Sequence, residues 1–431
     1  MKFFSYNPLS ITKSATFKQS SLTFTATVIN GILGMIFYIF LARELGPSNF
    51  GIFSLSVVVL ALTADIGNFG ANTGIVNFVS KYIQNDIHLA MKYLKIGFLF
   101  KVFIGITVFI LGYLFTPFLA INIFDKPEMI SFLRLAFLGV GTTWLFSFTT
   151  SYYQAVQKFT SWGVVQIFTN LIRLVGVIAV FYSHSLNIHT AMLFYISAPL
   201  LGFFVSLVNI PLNFMSEKIS KDQTLSFFSF NKWIGIASIS GAASSRVDSF
   251  VLGRLVSYAS IGIYSAANQL VQVVPQLIGA IGTVFAPKFS SFDEDRKMLV
   301  YFKKVQLFVV GISFAIILFI PLVKIIINLF FGEEYQSAFP IFVILLMAML
   351  VFLISVPVHN AIIYYYSYPK LFSYLSFLNL AIVFLSAYYL TIKFGISGTA
   401  YAVLLGNIVN LVIPLFWFIN KIKHKSLINN Q

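Results

Sequence analysis

The stretch LARELGPSNFGIFS, residues 41–54, returns at an offset of 211 as LGRLVSYASIGIYS, residues 252–265. Five of the fourteen aligned residues are identical: Leu41/Leu252, Arg43/Arg254, Gly51/Gly262, Ile52/Ile263 and Ser54/Ser265. Phe53/Tyr264 and Leu45/Val256 are similar in kind. Each copy leaves one apolar run, turns, and enters the next. A weaker echo links QKFTSWGVVQIFTNLI (157–172) to YSYPKLFSYLSFLNLA (366–381), where Asn170 aligns with Asn379 at an offset of 209. The match covers polar turn positions and span order as well as apolar residues. It predicts a chain built twice from one unit.

Composition identifies the solvent around that unit. Of 431 residues, 58% are hydrophobic and 10% charged, and 50 are phenylalanine. A soluble domain averages about 25% charged residues. This chain has too little polar surface to cover a water-exposed fold, so its surroundings are lipid. The chain has no cysteine, which excludes disulfides, thiolate metal sites and cysteine catalysis.

Apolar runs of about 20 residues, each long enough to span a bilayer, recur along the sequence. The expected spans are 19–42, 50–70, 93–116, 130–156, 161–182, 190–214, 233–255, 260–284, 305–329, 337–362, 371–392 and 397–420. The first follows a polar segment with Lys2, Lys13 and Lys18 and lacks a small-residue cleavage site. It is expected to be a span, not a removed signal peptide.

Of the 28 basic residues, 19 fall in the tails and loops on the side of the two termini, and four (Arg43, Lys126, Arg254 and Lys393) fall on the other side. The positive-inside rule then predicts cytoplasmic termini. It also explains the formal net charge of +15 without nucleic acid. The expected layout is a cytoplasmic tail at 1–18, a six-helix bundle at 19–214, a cytoplasmic linker at 215–232, a second six-helix bundle at 233–420 and a cytoplasmic tail at 421–431. The fold class is all-α integral membrane, with about 12 spans. Parallel repeats of this kind are related by a pseudo-two-fold axis along the membrane normal, enclose a cavity and can rock about it.

LARELGPSNFGIFSL, placed after a first span, resembles the polysaccharide and O-antigen flippases of the multidrug/oligosaccharidyl-lipid/polysaccharide exporter superfamily. VDSFVLGR (247–254) followed by IGIYSAANQL (261–270), ADIGNFG (64–70) and FGISGTAYA (394–402) are also similar to that family. Many relatives carry an arginine shortly after the second-span glycines, where this chain has Asn77, so no cationic site is carried over to that helix. The resemblance implies export of a lipid-linked oligosaccharide from a bacterial cytoplasmic (inner) membrane, with membrane lipid around it. It further implies a polysaccharide polymerase and chain-length proteins as partners.

Charges inside spans carry the functional reading, because each costs about 2.5–3.5 kcal/mol at a helix centre. Arg134 and Lys324 lie near span ends and can snorkel. Arg173, Arg246 and Lys101 are the candidate lining of a cationic cavity, suited to the paired phosphates of a polyprenyl-pyrophosphate sugar. Asp65 and Asp248 are candidates for ion coupling or for ion pairs with those arginines. Arg246 and Asp248 are two residues apart and project about 200° apart around a helix. Gly241, Ala242 and Ala243 suit close helix packing. Pro199, Pro275, Pro321 and Pro357 are candidate kinks.

No P-loop, nucleophile elbow or convincing metal pair occurs. No loop is long enough for a separate aqueous domain. A transporter is therefore expected, with no enzyme chemistry, no catalytic residues, no metal and no cofactor. The alternative reading is a cation-coupled drug or metabolite antiporter of the same superfamily. A polymerase or ligase would need a sizeable outer loop.

Because the natural chain lacks cysteine, single cysteines report topology cleanly. A membrane-impermeant maleimide should label Lys126→Cys in intact cells and Lys297→Cys only after permeabilisation. The opposite pattern would reverse the orientation.

Overall fold

Inside a bilayer every backbone N–H and C=O must find a partner within the protein, so spanning segments are helices or closed barrels. The computed structural model describes residues 15–428, and every long element among them is a helix. Residues 1–14, most of the expected N-terminal tail, and 429–431, the end of the expected C-terminal tail, lie outside the described residues. The helices are α1 (Ala15–Asn68), α2 (Ala71–Tyr82), α3 (Ile87–Phe118), α4 (Ile130–Ala155), α5 (Phe159–Tyr182), α6 (Ile188–Leu207) and α7 (Lys221–Leu255). They continue as α8 (Tyr258–Val271), α9 (Val273–Phe289), α10 (Asp295–Leu318), α11 (Ile320–Ile326), α12 (Ala338–Asn360), α13 (Lys370–Phe394) and α14 (Ile396–Ile428).

The helices account for the twelve expected spans, with differences that local chemistry explains. α1 carries the first two. It breaks at Gly46, whose φ of 71° and ψ of 168° leave helical space. Glycine tolerates that conformation, and Pro47 behind it supplies no N–H to continue the ladder. α7 begins at Lys221, so most of the segment expected as a linker is helical. Its residues 221–232 mix polar side chains with Leu225, Phe227, Phe228 and Phe230 and contain neither proline nor glycine. The expected eighth span is divided into α8 and α9 at Gln272. Pro321 opens the short helix α11 instead of kinking a continuous one, and Pro275 lies in the first turn of α9. Pro199 and Pro357 lie inside α6 and α12. Among the described residues, nine helices are long and apolar enough to cross a membrane. α7 is too serine-rich to count, and α8 and α9 are each too short.

The chain divides into two compact units. The first holds the described residues through Tyr38 and Val59–Ile239. An aromatic cluster of Phe78, Tyr93, Phe148, Tyr153, Phe214 and Phe227 fills one part of it. Phe78 and Tyr93 stack at 4.3 Å. Trp144 lies against Gly67, where an added methyl would sit 2.5 Å from the indole, and its Nε1 donates to the Ala64 carbonyl at 2.9 Å.

The second unit holds Ser240 onward together with Ile39–Val58, so the repeated motif of the first half belongs to it. Here the two copies of the motif touch. A methyl on Gly51 would lie 1.9 Å from the Tyr258 carbonyl oxygen, and one on Gly262 would lie 2.0 Å from the Pro47 carbonyl oxygen. Pro47 and Tyr258 are themselves aligned in the repeat, so the contact is reciprocal. Lipid supplies no hydrophobic drive between helices, and side-chain-free positions that admit backbone to backbone replace it.

Exchanged caps secure the same region. The Tyr335 hydroxyl donates to the Ala42 carbonyl at 2.8 Å, beside the Gly46 break. Arg43 donates to the Leu329 carbonyl at 2.8 Å, within the π-turn Ile327–Phe331. Tyr335 lies between spans. Burial and the neighbouring Glu334 charge hold its phenol above the usual tyrosine range, so it remains a donor.

Gly51→Ala and Gly262→Ala should each cost about 1–3 kcal/mol or more, since backbone cannot rotate away from the new methyl. Gly241, expected at a close contact, has open space around its missing side chain. Gly241→Ala should change stability by less than about 1 kcal/mol. Thermal unfolding in detergent separates the two outcomes.

Candidate functional site

The charges singled out from the sequence fall in separate local environments. Lys101 sits on α3 in the first unit and is 2% exposed. Its Nζ donates to Asn72 Oδ1 and Ser147 Oγ, and to Asn68 Oδ1 at 3.5 Å. Asn68 closes α1, Asn72 lies in the first turn of α2, and Ser147 is on α4. Three acceptors meet the three protons of an ammonium group. Among the described residues, none of these partners is a carboxylate.

Arg173 lies on α5 and is half-buried. Its guanidinium covers the Tyr195 ring at 4.1 Å and approaches Phe37 at 5.7 Å. One amino group donates to Asn170 Oδ1 at 3.2 Å and another to the Tyr195 carbonyl at 3.4 Å. That carbonyl is free for a reason. Pro199, four residues on, lacks the N–H that would complete its helical bond. Asn170 donates onward to Asn30 Oδ1 at 3.0 Å, and the Tyr38 hydroxyl donates to the Tyr195 hydroxyl at 3.4 Å. This polar chain joins α1, α5 and α6. The arginine is held by aromatic rings and neutral acceptors, with its Nε buried and without a hydrogen-bond partner. As at Lys101, no carboxylate is among its described partners.

The second unit is arranged differently. Asp248 on α7 accepts from the Tyr264 hydroxyl at 2.7 Å and from Ser249 Oγ at 3.3 Å. Tyr264 comes from the repeated motif, and its counterpart Phe53 has no hydroxyl. Arg246 lies two residues before Asp248 on the same helix. Of the remaining charges, Asp65 is exposed on α1 and Lys324 on α11. Arg134 lies over the Tyr113 ring at 4.1 Å.

Thus Lys101 and Arg173 share the first unit but not one cluster, while Asp248 in the second is bound by Tyr264 and Ser249. Residues 17–293 match a family described as polysaccharide biosynthesis protein. The chain belongs to that family. It is similar to the lipopolysaccharide biosynthesis protein WzxC of Escherichia coli K12, at 25% identity over 332 residues. That alignment covers 73% of this chain and 63% of WzxC, so the chain spans less than two thirds of that relative. It is also similar to the capsular polysaccharide biosynthesis protein CapF of Staphylococcus aureus, at 21% identity, covering 93% of this chain and 98% of CapF. Among solved structures, the lipid II flippase MurJ in an inward closed conformation superposes with a TM-score of 0.70 at 18% identity. The superposition covers 92% of this chain and 87% of MurJ. The fold is that of a multi-pass membrane transporter.

Several residues of this polysaccharide biosynthesis protein escape sequence reasoning. The acceptors of Lys101 lie 29 to 46 positions away, with no motif to link them. Tyr195 and Phe37 look like ordinary span aromatics. Tyr264 had a usable signal: it is the repeat position that gained a hydroxyl. Tyr264→Phe should lower stability by about 1–3 kcal/mol, because it leaves a carboxyl short of a donor. Unfolding midpoints of the two forms check this.

Proposed function

We propose that this chain is a flippase. It moves polyprenyl-pyrophosphate-linked oligosaccharide repeat units across the bacterial cytoplasmic membrane by alternating access, for surface polysaccharide or O-antigen assembly. The observation that carries the reading is Arg173 in the first unit, a guanidinium solvated by neutral groups alone; the amine of Lys101 is likewise met only by neutral acceptors. A positive charge without a carboxylate partner in low dielectric projects a field that favours anions. A pyrophosphate head carries the charge to match, and guanidinium can pair with it in bidentate fashion. Arg173 and Arg246 are the contact candidates.

The names of the relatives support this reading, since they are a lipopolysaccharide and a capsular polysaccharide biosynthesis protein. So does the flippase among the structural neighbours. The distribution of lysine and arginine supports cytoplasmic termini. In this reading a polymerase and chain-length proteins receive the product, and Asp248 and Asp65 serve as coupling or ion-pair groups. A drug antiporter for organic cations would require the opposite sign of uncompensated charge.

Deletion of the gene should cause lipid-linked repeat units to accumulate on the cytoplasmic leaflet, as seen by lipid extraction. Lys101→Gln, Arg173→Gln and Arg246→Gln keep a donor in place but remove the charge. Each should reduce surface glycan about tenfold, equivalent to about 1.4 kcal/mol, with membrane insertion intact. Normal display in all three would end the cationic-lining idea.

A further inference from the structure

A proline inside a helix leaves the carbonyl four residues earlier without its N–H, and lipid offers no replacement. α14 contains Pro414, so the carbonyl of Asn410 must find another donor. His359 Nε2, from α12, lies 2.8 Å from that carbonyl oxygen. The carbonyl can only accept, so Nε2 carries the hydrogen. The imidazole is fixed edge-on between Phe352, at 5.8 Å and 70°, and Phe372, at 4.8 Å and 66°.

α12 is irregular at the same place. Pro357 lies two residues before His359, and a π-turn, Ala361–Tyr365, begins two residues after it. Gln306 Nε2 of α10 donates to the Ile354 carbonyl at 3.2 Å, one position beyond the carbonyl that Pro357 frees. A side-chain donor from a neighbouring helix thus fills the gap at Pro414, and a second tie lies beside the break at Pro357.

Beyond the breaks, the two helix ends pack on each other. Trp417 stacks on Tyr368 at 5.3 Å with 4° between ring planes. Tyr366 meets Trp417 at 5.6 Å and Phe418 at 6.0 Å, and Phe418 meets Phe302 at 4.8 Å. Phe289, Met298, Val358, Ile362 and Phe418 form the buried centre of this cluster. The segments past Pro357 and Pro414 thus pack on one another and on Phe289 of α9 and Met298 and Phe302 of α10, and they join the rest of α12 and α14 through two weakened points.

We infer that His359 is a positioning residue: it pins a hinge at Pro414, about which the ends of α12 and α14 swing together during transport. The inference goes beyond the cargo reading above, because the hinge belongs to the second unit whatever is carried.

The test uses the full chain in liposomes. With no native cysteine, Tyr401→Cys and Lys421→Cys place spin labels on exposed positions of α14 on either side of Pro414, about 30 Å apart along the helix. Pro414→Ala should lengthen and narrow the inter-label distance and reduce export about tenfold. His359→Leu should broaden the distance distribution and lower the unfolding midpoint by roughly 3 °C or more. His359→Gln, which keeps a donor, should preserve both. In the double variant His359→Leu/Pro414→Ala, the restored N–H should recover the midpoint but not export.

An unrecovered midpoint in the double variant would show that His359 does not serve the Asn410 carbonyl. Unchanged distances and wild-type export in Pro414→Ala would make the bend mere packing. If Pro414→Ala does not fold, equal distance distributions in His359→Leu and His359→Gln would overturn the hinge. An incorrect cargo assignment would leave the label distances as expected and silence only the export assay.

Discussion

A carbonyl that loses its helical N–H inside a bilayer has no water to turn to. Much of the interior chemistry of this protein answers that single constraint. Arg173 serves the carbonyl freed by Pro199, and His359 the one freed by Pro414. Tyr335 and Arg43 do the same work at the irregular ends near Gly46 and Leu329. Each donor is long enough to reach across to another segment. The polar residues that look costly in a hydrophobic chain are therefore part of how its broken helices persist.

The charges follow a second rule, which differs between the units. In the first, Lys101 and Arg173 are surrounded by amide oxygens, a hydroxyl, a carbonyl and aromatic faces. Such groups stabilise a cation without cancelling its charge. In the second, the carboxyl of Asp248 is held by two hydroxyl donors. Proline geometry and charge chemistry meet in Arg173. The same guanidinium closes a backbone gap and keeps a positive charge inside the fold.

Much of this architecture was legible in the sequence, and the unread parts have physical causes. Apolar run lengths are imposed by bilayer thickness, so the span count was readable. The break at Gly46 follows from a Gly-Pro pair. The extension of α7 back to Lys221 was hidden because its first turns mix charged and polar residues with phenylalanines, and mean hydropathy does not register an amphipathic helix. Lys101 and Arg173 stood out as mid-span cations, but their partners did not. Asn72 and Ser147 carry no pattern that ties them to position 101, and only tertiary packing brings them there. Pro414 sits inside an expected span, yet it was not among the four prolines singled out. Its value lies in the carbonyl at Asn410, and that became visible only with His359 beside it.

The contact at Gly51 and Gly262 has a meaning beyond close packing. Residue 47 faces 262 as residue 258 faces 51, which is the arrangement that two identical subunits make across a dyad. The surface is self-complementary in form. A half-length ancestor bearing it would have had the means to pair with its own copy, and gene fusion would have turned that homodimer into one continuous polypeptide.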